Sequence, residues 1–163
     1  MLAALFLAGI FGIDLFPLAG NLFRDIIIGT LGALPPLVLF VFLLSEKTEN
    51  IPLLDSLRKL ITTEIRPLFS QVTVLDICLI SLSAGFAEEL LFRGILQTKL
   101  GMVAASIIFG LLHAANPAYG IFATILGFYI GALFHIYESM LIPVQLHFMY
   151  DLGALLYLRY VAK

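Results

Sequence analysis

Long apolar runs decide what this chain can fold into. Ile26 to Leu44 and Tyr119 to Tyr137 contain no Asp, Glu, Lys or Arg, while Leu2 to Leu18, Val72 to Ala87 and Leu141 to Leu158 carry only Asp14, Asp76 and Asp151. At 1.5 Å per residue, about 20 such residues cross the roughly 30 Å hydrocarbon core of a bilayer. Of the 163 residues 61% are hydrophobic and 12% charged, and the mean hydropathy is +1.08. A soluble domain has about 45–50% apolar residues, and no soluble core hides the surplus. The expected fold is therefore all-α, a polytopic membrane bundle of about six transmembrane helices plus one interfacial amphipathic helix. Residues 1–163 are expected to form a single integral membrane domain.

The formal net charge is -2 with no basic cluster, so the field that draws proteins to nucleic acid is missing and that partner class is excluded. Membrane lipid is the expected surrounding. Cys78 is the only cysteine, which excludes an internal disulfide and a cysteine-based metal cluster; it reads as a packing residue. Met1 to Ile13 lacks the basic start of a secretory signal and reads as a retained span.

Gly32 and the Pro35-Pro36 pair interrupt the second run, which predicts a kinked helix. Ser45 to Ser70 differs in kind: it gathers Glu46, Lys47, Glu49, Asp55, Arg58, Lys59, Glu64 and Arg66, yet Leu53, Leu54, Leu57, Leu60, Ile61 and Ile65 recur at helical spacing. That pattern predicts an amphipathic helix lying in the interface. Met102 to Ala115 is too short to cross alone and is ended by Asn116-Pro117. Ala123, Gly127 and Gly131 repeat at four-residue spacing, a pattern that lets helices approach closely. Lys47, Arg58, Lys59, Arg66, Arg159 and Lys163 would fall on one side, together with the N-terminus, in a six-span arrangement, and that side is expected to be cytoplasmic.

The third run continues without a breaker through Glu88, Glu89 and Arg93 to Gly94. Three ionised side chains facing lipid would cost roughly 7–10 kcal/mol at about 2.5–3.5 kcal/mol each, comparable with the whole stability of a domain. They must turn toward other helices, where His113, His147 and Asp151 are the polar company. Glu89 and Arg93 are four residues apart and share a face, so they read as a structural ion pair; Glu88 lies about 100° around the helix and stays free to titrate or hold a water. His147 and Asp151 are also four apart, so the carboxylate can orient the imidazole or both can meet one ligand. His135 sits near the end of its span and reads as interfacial, and Asp14 and Asp76 read as helix caps or bundle pairs.

Ala87-Glu88-Glu89-Leu90-Leu91-Phe92-Arg93-Gly94, Phe109-Gly110-Leu111-Leu112-His113 and His147-Phe148-Met149-Tyr150-Asp151 resemble, in order and spacing, the EExxxR, FxxxH and HxxxN/D motifs of the CAAX-processing and bacteriocin-processing (Abi) family of intramembrane proteases, relatives of the CAAX prenyl endopeptidases. The resemblance covers roughly residues 73–160, the expected catalytic core. It implies an intramembrane endopeptidase acting on a membrane-associated protein or peptide. Glu88 and His113 would activate water, and His147 and Asp151 would stabilise the oxyanion or complete a metal site. Glu88, His113, His147 and Asp151 carry the nitrogen and oxygen donors that zinc accepts, so both a zinc and a glutamate mechanism are open. No HExxH helix is present. Ionised Asp151 cannot donate a hydrogen bond to an oxyanion as Asn would. The rival readings are a non-proteolytic membrane scaffold or bacteriocin-immunity-type protein of the same fold, and a small proton-coupled transporter. A prokaryotic cell membrane is the expected location.

Overall fold

The computed structural model describes residues 2–14 and 18–161, and every regular element among them is helical. The chain begins with α1 (Leu2–Phe11); residues 15–17 of the expected first span, and Lys163, lie outside the described residues. Next come α2 (Leu22–Gly32), opened by Asn21, whose Oδ1 accepts from the Arg24 amide at 3.0 Å, and α3 (Leu34–Leu43). They join at Ala33, where Gly32 and the two prolines, which lack amide donors, were expected to kink the run. Together they form a 22-residue apolar span, Leu22–Leu43.

The charged segment folds as α4 (Pro52–Lys59), a wider π-helical stretch over Leu60–Ile65 and the short α5 (Arg66–Phe69). Its apolar edge faces protein. Leu57 and Ile61 are buried in the main core with Phe40 and Leu43 of α3 and with Tyr150, Ala154 and Leu158 of the last helix. Asn116 Nδ2 donates to the Ser56 carbonyl at 3.1 Å. On the outer edge Lys59 pairs with Asp55 at 2.6 Å and Arg58 pairs with Glu49.

Helix α6 (Val74–Glu89) opens with a reciprocal cap, in which Thr73 Oγ1 accepts from the Asp76 amide at 3.2 Å and Asp76 Oδ2 from the Thr73 amide at 3.3 Å. Asp76 is thus one of the expected caps. The helix passes into a π-helical stretch at Leu90–Gln97 and then into α7 (Thr98–Leu112). These 39 residues, Val74–Leu112, would run about 58 Å if straight, twice the hydrocarbon core. They do not run straight. Gly101 adopts φ 83° and ψ 163°, open to glycine and strained for other residues, and the chain folds back there. Phe92 and Phe109 sit with ring centroids 4.8 Å apart, where a continuous helix would hold them about 25 Å apart.

The bundle closes with α8 (Pro117–Tyr137), capped by Asn116 Oδ1 on the Tyr119 amide at 2.8 Å, and α9 (Leu141–Tyr160). Small residues seat these helices on their neighbours. A Cβ on Gly110 of α7 would stand 1.8 Å from Thr124 Oγ1 of α8, and one on Gly127 of α8 would stand 3.2 Å from Ser106 Cα of α7. The four-residue stripe on α8 therefore marks a true seam. Of the roughly six crossings expected, four helices among the described residues are long and apolar enough to span a membrane: Leu22–Leu43, Val74–Leu112, Pro117–Tyr137 and Leu141–Tyr160. With 10 residues, α1 falls short alone, and so does the part of α7 beyond Gly101. The protein is an all-α integral membrane bundle.

Candidate active site

Glu88 and Glu89 occupy the last turn of α6 and point in different directions. Glu89 is fully buried, whereas 31% of the Glu88 side chain remains exposed. This is the division that their 100° separation predicts.

Glu89 meets Arg93 as expected, with Nη1 3.0 Å from Oε2, and Arg93 Nη2 donates to the Gly127 carbonyl at 3.0 Å. Its role goes beyond that pair. His147 Nδ1 lies 2.6 Å from Glu89 Oε1, and because a carboxylate only accepts, Nδ1 carries the donated hydrogen. Nε2 of the same ring faces Asp151 Oδ2 at 3.4 Å. The expected His147–Asp151 relation is therefore present, and a second carboxylate orients the ring from behind. The sequence offered no sign of it, since Arg93 already accounted for the charge of Glu89.

His113 ends α7 at φ -98° and ψ 3°, a sparsely populated region where many active-site residues sit. Nδ1 donates to the Phe109 carbonyl at 2.8 Å, and the ring stacks on Phe109 with centroids 4.2 Å apart. Nε2 is thereby aimed at Glu88 Oε2, 3.5 Å away. That oxygen is buried and has no hydrogen-bond partner among the described residues. An imidazole with its hydrogen on Nδ1 presents a lone pair at Nε2, so lone pair faces lone pair unless a proton or a water lies between them.

Glu88, His113, His147 and Asp151 line one cavity of about 110 Å³, together with Phe109, Tyr119 and Tyr150. Within it the four side chains form two pairs, Glu88 with His113 and His147 with Asp151. Tyr119 and Tyr150 were not singled out in the sequence, where nothing distinguishes them from other aromatic residues of apolar helices. A second, largely apolar chamber of about 220 Å³ shares Tyr119, Phe122, Tyr150 and Asp151 with the first and extends to Leu57, Ile61 and Phe69. His135 is exposed in the last turn of α8, away from the cavity, and Cys78 is half-buried in α6.

Zinc needs its nitrogen and oxygen donors at about 2.0–2.2 Å around one point. The four expected candidates pair two by two instead, and no three His, Cys, Asp or Glu side chains among the described residues are grouped so that they could hold one ion. As arranged, this donor set does not fit a metal.

Residues 70–153 match the family model described as "Type II CAAX prenyl endopeptidase Rce1-like". The matched segment contains all three motifs. Among curated proteins, the chain is 34% identical over 89 residues to "Uncharacterized protein YpbD" of Bacillus subtilis (strain 168), an alignment covering 53% of this chain and 47% of the relative. The chain thus spans about half the length of the curated relative that it matches. No solved structure matches. Since the family model covers more than half of the sequence and includes every residue of the cavity's two acid–histidine pairs, the chain belongs to the Rce1-like family of CAAX-type intramembrane proteases.

Proposed function

We propose that this protein is an intramembrane endopeptidase that hydrolyses a peptide bond in a membrane-associated protein or peptide, using water activated by Glu88 and His113. The observation that carries the reading is the unpartnered, buried Glu88 Oε2 facing His113 Nε2 at 3.5 Å inside the shared cavity. A water held there would lose its proton to Glu88 as its oxygen bonds to the peptide carbonyl carbon. The tetrahedral intermediate then collapses, the C–N bond breaks, and the proton on Glu88 passes to the leaving amine. The products are one carboxyl and one amine terminus, and Glu88 returns ionised. His113, fixed through Nδ1, positions the water and shares its proton. His147, held between Glu89 and Asp151, orders its own part of the cavity lining.

The adjoining chamber supports a substrate whose residue next to the scissile bond is large and apolar, since Leu57, Ile61 and Phe69 can surround such a group beside Asp151. The family description names CAAX prenyl endopeptidases, which makes prenylated peptides one arm of the test. Purified protein in detergent or bilayers should cleave members of a quenched-fluorescence library of prenylated and unmodified peptides. Glu88→Gln should lose about 10² to 10⁴ in rate while melting near the parental temperature. An absence of cleavage across the library, or an unchanged rate in Glu88→Gln, would overturn the proposal.

A further inference from the structure

Water attack places negative charge on the carbonyl oxygen, and preorganised donors aimed at it are usually the largest single contribution to such catalysis. This cavity is rich in acceptors and short of donors. Asp151 as a carboxylate only accepts. His147 Nδ1 and His113 Nδ1 are committed to Glu89 and to the Phe109 carbonyl. Any proton on His147 Nε2 is shared with Asp151 at 3.4 Å.

Two phenol groups line the same cavity, on Tyr119 and Tyr150, and neither hydroxyl bonds to a described residue. A phenol hydroxyl is a hydrogen-bond donor, and one on a residue that lines a polar cavity is available to a ligand. Tyr119 is the better placed. Its backbone is anchored in the first turn of α8 by Asn116, and its ring centroid is 6.5 Å from that of His113. Glu88 and Asp151 line the same cavity as its ring. Tyr150 is wedged edge-on against Phe40, with ring centroids 6.3 Å apart.

We infer that Tyr119 is a further catalytic residue, whose phenolic O–H donates a hydrogen bond to the oxyanion formed when water adds to the substrate carbonyl. This inference rests on the proteolytic reading. It supplies the donor that an Asn would provide at position 151 and that Asp151 cannot.

The test compares Tyr119→Phe and Tyr150→Phe with the parent on the best-cleaved peptide, and measures inhibition by a phosphinic analogue of that peptide, which mimics the tetrahedral intermediate. Tyr119→Phe should lower kcat about 10²-fold, leave KM nearly unchanged, weaken the analogue by a similar factor and melt as the parent does. Tyr150→Phe should lower kcat less. A Tyr119→Phe variant that retains parental kcat, loses activity only through KM, or binds the analogue as tightly as the parent overturns the inference while the proteolytic reading stands. So does a larger loss of kcat in Tyr150→Phe. If the parent cleaves nothing, the proteolytic reading falls and this inference with it.

Discussion

The carboxylate of Glu89 accepts a hydrogen bond from Nδ1 of His147 at 2.6 Å, which joins the end of α6 to the middle of α9. Through Arg93 the same carboxylate reaches the Gly127 carbonyl of α8. One buried acid therefore links three helices and fixes the ring that forms one wall of the cavity. Removing one partner of a buried ion pair leaves the other charge stranded, at about 3–5 kcal/mol. Arg93→Ala is expected to lower the detergent melting temperature markedly. Parental melting of Arg93→Ala would show that the pair contributes nothing to stability. Glu89→Gln should both destabilise and lower kcat, because His147 loses its ionised acceptor.

Glu88 and His113 act on one water in the proposed mechanism, so their losses should not add. His113→Ala is expected to approach the loss seen in Glu88→Gln, and the double variant should be no slower than the slower single one. Fully additive losses in single-turnover kinetics would mean that the two residues serve separate steps.

The pairwise arrangement of donors gives a distinct expectation for metals. Cleavage should withstand EDTA and 1,10-phenanthroline, and added zinc should not change the activity of Asp151→Asn. Chelator inactivation reversed by zinc would show that the four side chains regroup around an ion.

The α7–α8 seam can be tested without touching the site. In Gly110→Ala the new methyl meets Thr124 Oγ1 at 1.8 Å and the Gly120 carbonyl at 2.6 Å, and overpacking of this kind costs about 1–3 kcal/mol. Thr124→Ala should recover part of that loss, since it removes the nearer obstacle. Melting of the single and double variants decides it.

Filling the apolar chamber should alter selectivity more than chemistry. Leu57→Trp or Ile61→Trp is expected to lower kcat/KM about tenfold or more for peptides with a bulky apolar residue at the cleavage point, and to spare those with a small one. Equal effects on both peptide classes would remove the chamber from substrate recognition.

The helical character of the fold was legible because a bilayer leaves one backbone solution for a lone apolar segment, and the runs from Ile26 and Tyr119 reappear as spans. The 3.6-residue period alone separated the two acids, with Glu89 turned to Arg93 and Glu88 turned away from it. The sequence separates the run ending at Gly94 from the short segment beginning at Met102, but nothing in it showed that the second folds back on the first at Gly101, and no residue type marks the widened turn after Glu89. The contact of Glu89 with His147 depends on how α6 meets α9, where Gly85 lets the Phe148 amide come within 2.9 Å of the Cβ position. Tyr119 gained meaning only once His113 and Asp151 were seen around it.

The turn at Gly101 also bears on how charge enters the bilayer. It makes α6 and α7 the two arms of one hairpin, and that hairpin carries Glu88, Glu89, Arg93 and His113. Glu89 and Arg93 neutralise each other within a single arm, and Glu88 finds His113 on the other. The hairpin therefore reaches the membrane with Glu89 already neutralised by Arg93 and Glu88 already beside His113, before α9 emerges from the ribosome to supply His147 and Asp151.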